Sequence, residues 1–500
     1  MSRGRRILIV GGGTAGWLTA AYLARALGPA VAISLLEAAE IGIIGVGEGT
    51  FPTIRDTLRF LGIEEAAFVR EASATFKQGV RFIGWQPDTD GRSHSYFHPF
   101  EPPFFTEGAS LIPHWLSQAP GTRRAFAETV TIQNRVAEAR RAPKQPGEGD
   151  YAGPLNYAFH FDATRLARIL ADRARQLGVE HLSGRLTEVV LDARGDIARI
   201  DTDGGPLTAD LFIDCTGFRA ELIGKALGSP FHSVADQLFT DRALTCKLPY
   251  DRPDAPIESY TLATAHEAGW IWDIGLAEGR GIGCVYSSRH VDDARAAAIL
   301  TDYLGAEVSA RKLAFEPGWR ERPWIGNCVA VGLAGGFLEP LESTGVVMIE
   351  AAVGMIAELF PHHGLIDLPA PRFNALMAAR YANIVTFLKL HYCLSRRPEP
   401  FWRDNADPAT SPERLRALLA QWRYRPPSRF DFLLDTESFA FFNYQYILYG
   451  MGFETEPAPA PANAAEAERL FARIQAFGEQ ASRDLPPHRV LVEQLAGGRG

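Results

Sequence analysis

Arg6-Ile7-Leu8-Ile9-Val10-Gly11-Gly12-Gly13-Thr14-Ala15-Gly16 reads as a short apolar strand, a glycine turn and the opening of a helix that runs from Thr14 to Leu27. A second strand, Val31 to Glu37, ends in an acid about twenty residues after the turn. The pattern G-x-G-x-x-G, carried by Gly11, Gly13 and Gly16, therefore has strand, helix and acid in register for a dinucleotide. Glycine lets backbone N–H groups approach a pyrophosphate, and the helix start, with Thr14 and Ala15, favours its negative charge. Glu37 is the expected acceptor for ribose hydroxyls. The plain alternative, a glycine-rich turn with no ligand, does not account for the acid.

The fingerprint does not separate FAD from NAD. Two later segments favour FAD. Leu211 to Gly217 (LFIDCTG) is a buried strand ending in a small-residue turn, and Val329 to Ala334 followed by Gly335-Gly336-Phe337 is another. They are similar to later nucleotide-contacting segments of FAD enzymes, with Gly332, Leu333 and Phe337 as the expected contacts. Each also reads as an ordinary core strand and turn. A second G-x-G-x-x-G unit is missing, so reducing power is expected from elsewhere.

The chain has 500 residues, more than one compact core holds. Its 46% hydrophobic and 22% charged residues are ordinary for a globular protein. A net charge of -8 argues against nucleic-acid binding. The apolar run after Arg3, Arg5 and Arg6 is only Ile7 to Val10, too short for a secretory signal, and no run reaches membrane-spanning length. The five cysteines (Cys215, Cys246, Cys284, Cys328, Cys393) show no paired spacing, so neither zinc nor a disulfide framework is expected and no metal site is assigned. A cytoplasmic location fits these features.

The expected fold class is α/β: a Rossmann-type FAD-binding domain, an added antiparallel sheet, and a mainly helical C-terminal region. The FAD-binding domain is drawn discontinuously from 1–85, 155–235 and 320–360. A substrate-covering region takes 86–154 and 236–319, and the helical region 361–500. Asp162 is read as the cap of a helix to Leu177, and Leu244 to Tyr286 as several strands. Asp88 to Pro103 reads as loop. Helices are expected over Ile349 to Phe360 and Arg372 to Leu394. Pro457 to Pro461 reads as a stiff connector before a last helix, Ala464 to Phe477.

Several separated stretches carry a resemblance to the flavin-dependent halogenases, specifically the tryptophan-halogenase-like group. They are GGGTAGW (Gly11 to Trp17), GVGEGTFP (Gly45 to Pro52, with Gly47 and Glu48 as cofactor contacts), Ala74-Thr75-Phe76-Lys77, GWIWDI (Gly269 to Ile274) and LEPLESTG (Leu338 to Gly345). The resemblance implies that reduced FAD, oxygen and bound chloride or bromide yield hypohalous acid. This acid passes through an internal tunnel to Lys77, which either forms a haloamine or hydrogen-bonds the acid. An electron-rich ring is then halogenated.

By the same resemblance Lys77 is the relay, and Glu342 and Ser343 are the acid and its neighbour. Thr344 and Gly345 hold the halide. In isolation a lysine at position 77 is most often a solvated surface residue, and only the resemblance reverses that. Ser343 or Thr344 also reads simply as the N-cap of the apolar helix that follows. Trp270 and Trp272, two apart in a strand, face one side and form the implied wall between substrate and flavin; ordinary sheet packing explains them equally. Gly275 stands where the family has proline. His98, Pro99 and Phe100 are similar to the segment that sandwiches an indole. In the aromatic cluster Phe439 to Phe453, Tyr444 is the substrate-contact candidate. Gln445 interrupts its tyrosines and no acid lies between Asn443 and Gly452, which points away from free tryptophan and towards indole or a larger indole-bearing molecule.

The leading expectation is thus a halogenase of indole-like aromatics, served by a separate NAD(P)H-dependent flavin reductase and compatible with a homodimer. The alternatives are a flavin monooxygenase that hydroxylates a ring, and a flavin-binding protein without turnover.

Overall fold

The computed structural model describes residues 4–38, 45, 47–88, 91, 93–106, 109–433, 436–456 and 463–497. Val46 and the connector Pro457 to Pro461 lie outside the described residues. The chain forms two compact units. One comprises residues 1–74, 161–234 and 315–381, the other 75–160, 235–314 and 382–500.

The first unit is built on a six-stranded sheet in the order Glu180–Ser183, Ala32–Glu37, Arg6–Val10, Leu211–Asp214, Cys328–Ala330, Trp324–Ile325. Every neighbouring pair is parallel except the last, which is an antiparallel edge. Ile7, Leu8, Ile9 and Val10 are all buried, as a strand covered on both faces requires. The helix Thr14–Leu27 packs against Ala163–Gln176 and Thr344–Leu359. Asp162 caps the second of these, accepting from the amides of Thr164 and Arg165. Phe212, Leu222, Ile223 and Cys328 are part of a fully buried cluster on this sheet.

The helix Thr344–Leu359 carries a residue that no motif singled out. Glu350 accepts hydrogen bonds from the hydroxyls of Thr57 (2.5 Å) and Thr53 (2.9 Å). Burial pushes its carboxyl up to about 7 from an ordinary 4.5. The folded chain therefore binds a proton that the unfolded chain releases between those values. Stability is full below that window and falls as pH rises through it, by up to about 3 kcal/mol. Glu350→Gln is expected to flatten this fall, read as the difference in unfolding temperature below about pH 5 and above about pH 8.

The second unit contains a seven-stranded sheet in the order Arg311–Ala314, Arg242–Pro249, Gly279–Tyr286, Gly269–Gly275, Thr261–His266, Gly79–Ile83, Ser95–Pro99. All pairs are antiparallel except Thr261–His266 with Gly79–Ile83. The helix Asp293–Leu304 covers one face, where Ile299 and Leu300 meet Ile271, Ile282 and Tyr286. The expected strands between Leu244 and Tyr286 are all present. Among the described residues five α-helices lie in the C-terminal part of this unit, from Pro400–Ala406 to His488–Gly497.

Four expectations are corrected. Ser95–Pro99 is a strand, not loop, with Tyr96 to Pro99 all buried. Burial on both faces removes the alternation by which a strand is read. Ala464 begins a helix that runs to Asp484, and it is not the last, because His488–Gly497 follows. Ser343 stands at the cap position of Thr344–Leu359, but its backbone is left-handed and its side chain does not cap the helix. The C-terminal helices group with the residues of the second sheet, where the sequence suggests a separate region. No helix among the described residues is long and apolar enough to cross a membrane.

Candidate active site

In the first unit the glycine turn has the geometry a dinucleotide needs. Gly13 is the N-cap of the helix Thr14–Leu27, so no capping side chain occupies its first amides, and its first turn holds no acid that would repel a phosphate. Glu37 folds back against the turn. A Cβ on Gly12 would lie 2.2 Å from its Oε1, so only glycine admits the carboxylate there. His181, on the neighbouring strand, has Nε2 3.0 Å from the other oxygen, and its ring meets Trp17 edge-on at 5.1 Å. Gly332 approaches the same helix start, since a Cβ on it would come within 2.7 Å of the Ala15 Cβ. Leu333 follows in that turn, and Phe337 packs edge-on against Phe218 and Phe315. Gly47 and Glu48 lie in the short strand Gly47–Gly49. The glycine turn, the uncapped helix start, the Glu37 carboxylate and the Gly332 turn lie together and fit a dinucleotide such as FAD.

Asp214 supports this cradle from below and was not legible as functional. Fully buried at the end of its strand, it accepts from the Thr216 amide and hydroxyl and from the amides of Leu222 and Ile223. It thereby ties the Thr216-Gly217 turn to the helical segment behind it.

Glu342 and Ser343 are successive non-glycine residues with φ of 64° and 61°. Each left-handed residue costs on the order of 1–2 kcal/mol, which surrounding structure must offset. Such strain commonly marks a functional turn. Glu342 and Thr344 are buried, whereas Gly345 is exposed, with open space where a Cβ would stand.

In the second unit Lys77 ends the strand Thr75–Lys77, which pairs antiparallel with Ala158–Asp162. Its exposure is 0%. The Lys77 Nζ lies 5.4 Å from the centre of the Phe100 ring. The two are brought together because the Phe100 amide donates to the Gln78 carbonyl and Gly79 pairs with Pro99. Thr75 donates to the Gly275 carbonyl at 2.6 Å, so the residue that departs from the family pattern anchors the lysine strand through its backbone. His160, opposite Thr75, has Nε2 2.9 Å from the Thr261 hydroxyl, and burial holds its pKa well below the ordinary value.

His98 is buried, with Nε2 2.9 Å from Asn443 Oδ1 and Phe387 and Tyr446 beside its ring. Tyr446 donates to the Glu101 carbonyl, so it, rather than Tyr444, reaches the His98-Pro99-Phe100 segment. Tyr444 sits with 0% exposure among Phe387, Trp422 and Phe432, and its hydroxyl has no hydrogen-bond partner among the described residues. Trp270 and Trp272 share a face, with ring centres 6.2 Å apart. Ile271 faces the helix Asp293–Leu304, so by strand alternation the two indoles face the opposite side. Gly283 leaves the niche that the Trp272 ring fills, and the buried Trp272 Nε1 has no hydrogen-bond partner among the described residues.

A Rossmann sheet with a glycine turn fit for a dinucleotide, in one chain with a large mainly antiparallel sheet and a buried lysine on a short separate strand, is the make-up of a flavin-dependent oxidoreductase. Comparison with known proteins then gives the family. The tryptophan halogenase family model matches residues 6–467. A tryptophan 6-halogenase of Streptomyces toxytricini is 35% identical over 473 residues, covering 89% of each chain. The crystal structure of a tryptophan halogenase from Shewanella frigidimarina superposes with a TM-score of 0.93 at 37% identity, over 99% of this chain and 98% of that one. A flavin-dependent halogenase from Xanthomonas campestris gives 0.90 at 36% identity, over 98% of both. The chain belongs to the tryptophan halogenase family and is a flavin-dependent halogenase; the hydroxylase and non-catalytic alternatives give way to this reading.

Proposed function

We propose that the chain uses reduced FAD, oxygen and chloride or bromide to halogenate an electron-rich aromatic, an indole-bearing molecule, with Lys77 presenting the electrophilic halogen. The observation that carries this reading is a lysine withdrawn from water on a short strand, with an aromatic ring 5.4 Å from its nitrogen. Bound reduced flavin supplies the electrons by which oxygen oxidises halide to hypohalous acid, with water as the other product.

In this reading Gly11, Gly13, Thr14, Ala15, Gly16 and Glu37 hold the dinucleotide, and Gly47, Glu48, Gly332, Leu333 and Phe337 complete its site. The amides at Thr344 and Gly345 hold the halide. The Lys77 nitrogen then either donates a hydrogen bond to the oxygen of hypohalous acid or carries the halogen itself. As the ring carbon bonds the halogen, either the hypohalous oxygen leaves as water with a proton given by the Lys77 ammonium, or, where the nitrogen carries the halogen and water left when that N–halogen bond formed, the Lys77 amine leaves; the ring proton passes to Glu342, with Ser343 shaping the turn. His98, Pro99 and Phe100 offer flat faces to an indole. Trp270 and Trp272 exclude substrate from the flavin.

Free tryptophan is disfavoured. Tyr444 is enclosed by core aromatics, and the helix Phe441–Gly450 contains no carboxylate to meet an α-ammonium group. An NAD(P)H-dependent flavin reductase is the expected partner, and the reading is compatible with a homodimer. The test supplies reduced FAD, oxygen, bromide and indole, with excess trap for free hypobromous acid. Brominated indole is the expected product by mass spectrometry. Hydroxylated indole alone would overturn the proposal.

A further inference from the structure

The lysine strand is only three residues long, and among the described residues one of its edges is not completed by another strand. The Phe76 amide points away from the paired strand Ala158–Asp162 and donates to His488 Nε2 at 3.0 Å. His488 Nδ1 lies 3.0 Å from the Ile257 carbonyl, a group that only accepts. These two contacts fix the ring. Nδ1 must carry the proton and Nε2 must offer a lone pair, so His488 is neutral in this arrangement. Its backbone is held as well, because the His488 amide donates to the Arg140 carbonyl and the Ala142 amide to that of Pro486. The Lys77 strand is caught from its other end too. The Gln78 amide donates to the Ser259 carbonyl at 2.7 Å, and the Gln78 side chain to the Arg141 carbonyl and the Ser259 hydroxyl.

We infer that His488, at the start of the C-terminal helix His488–Gly497, is a positioning residue for halogen transfer, because its imidazole replaces the missing strand partner at Phe76 and so sets the position of Lys77. This rests on the reading of Lys77 given above. His488 is 1% exposed and touches the backbone next to the relay, not the substrate. Burial, opposed in part by the Ile257 contact, pushes its pKa down to about 4, so the acceptor persists at neutral pH. A lysine displaced by a lost backbone anchor leaves every residue assigned to the cofactor and the halide unsubstituted. The oxidant is then made but handed over poorly.

The test uses the full chain with a flavin reductase, NADH, bromide and indole, and excess monochlorodimedone to capture free hypobromous acid. Two outputs are read together: brominated indole and brominated trap. His488→Phe keeps the volume and removes the acceptor. It is expected to lower brominated indole about 10-fold, the scale of one net hydrogen bond, while the brominated trap rises to match. His488→Gln, with an oxygen near the former Nε2, is expected to recover most of the transfer. Should His488→Phe fail to fold, His488→Asn, whose oxygen falls short of the Phe76 amide, replaces it in the comparison with His488→Gln. An unchanged ratio of the two products in the acceptor-less variant overturns the inference. So does a parallel fall of both products that His488→Gln does not rescue. Lys77→Ala in the same assay separates the two readings. If it still brominates indole, the relay itself is wrong. If it does not, and His488→Phe behaves as wild type, only the role of His488 fails.

Discussion

In Lys77→Ala, halogenated product is expected to fall by on the order of 10²–10⁴-fold, the range for loss of a positioned proton-transfer group, while FAD binding is retained. Lys77 is on a short strand paired with Ala158–Asp162, and the substitution leaves the glycine turn, Glu37 and Gly332, which fit the dinucleotide, unaltered. Truncating the lysine removes the nitrogen that is proposed to hold or carry the halogen. It leaves the anchors at the Thr75 hydroxyl and the Phe76 amide intact. The checks are flavin titration, single-turnover formation of brominated indole, and capture of free hypobromous acid. Retained binding and oxidant release with lost transfer is the expected pattern. Undiminished indole bromination in the presence of trap would exclude the relay. Lys77→Arg adds a sharper arm: it can still donate to an oxygen but cannot form a simple haloamine, so substantial residual transfer favours the hydrogen-bonded route.

The parts of this enzyme that were legible in sequence are those whose chemistry is local. A glycine turn between an apolar strand and a helix has one efficient use, and the sheet order confirms the βαβ reading from Arg6 to Glu37. Trp270 and Trp272 share a face because strands alternate, whatever lies around them. What escaped was contact at long range. The Phe76 amide and His488 are 412 residues apart, and nothing in Pro486-Pro487-His488-Arg489 announces the strand edge it completes. Ser95–Pro99 escaped because a strand buried on both faces, rich in Tyr, Phe, His and Pro, looks like an irregular aromatic loop. Ser343 misled for a different reason. A serine before an apolar helix normally caps it, but two left-handed residues in succession turn this one to another purpose.

Within the fingerprint, the glycines are expected to part company when each is replaced by alanine. A Cβ on Gly16 would lie 1.8 Å from the Gly11 carbonyl oxygen, inside the turn itself. Backbone must move to admit it, at a cost of typically 1–3 kcal/mol or more, and both unfolding temperature and FAD affinity should drop. A Cβ on Gly13 would meet nothing within 4 Å. Gly13→Ala should therefore leave stability nearly unchanged, within about 0.5 kcal/mol. The new methyl, however, enters the open space above the uncapped helix start, where a pyrophosphate must come close to the amides. A loss of about 1.4 kcal/mol there is tenfold in affinity, and at least that is expected. Thermal unfolding without flavin, paired with a fluorescence titration of FAD, reads the two quantities independently. Gly13→Ala binding FAD as wild type would mean that this space does not hold the phosphates. Gly16→Ala folding and binding normally would mean that the turn yields without cost, and the close contact with Gly11 would lose its meaning as a constraint on the cofactor site.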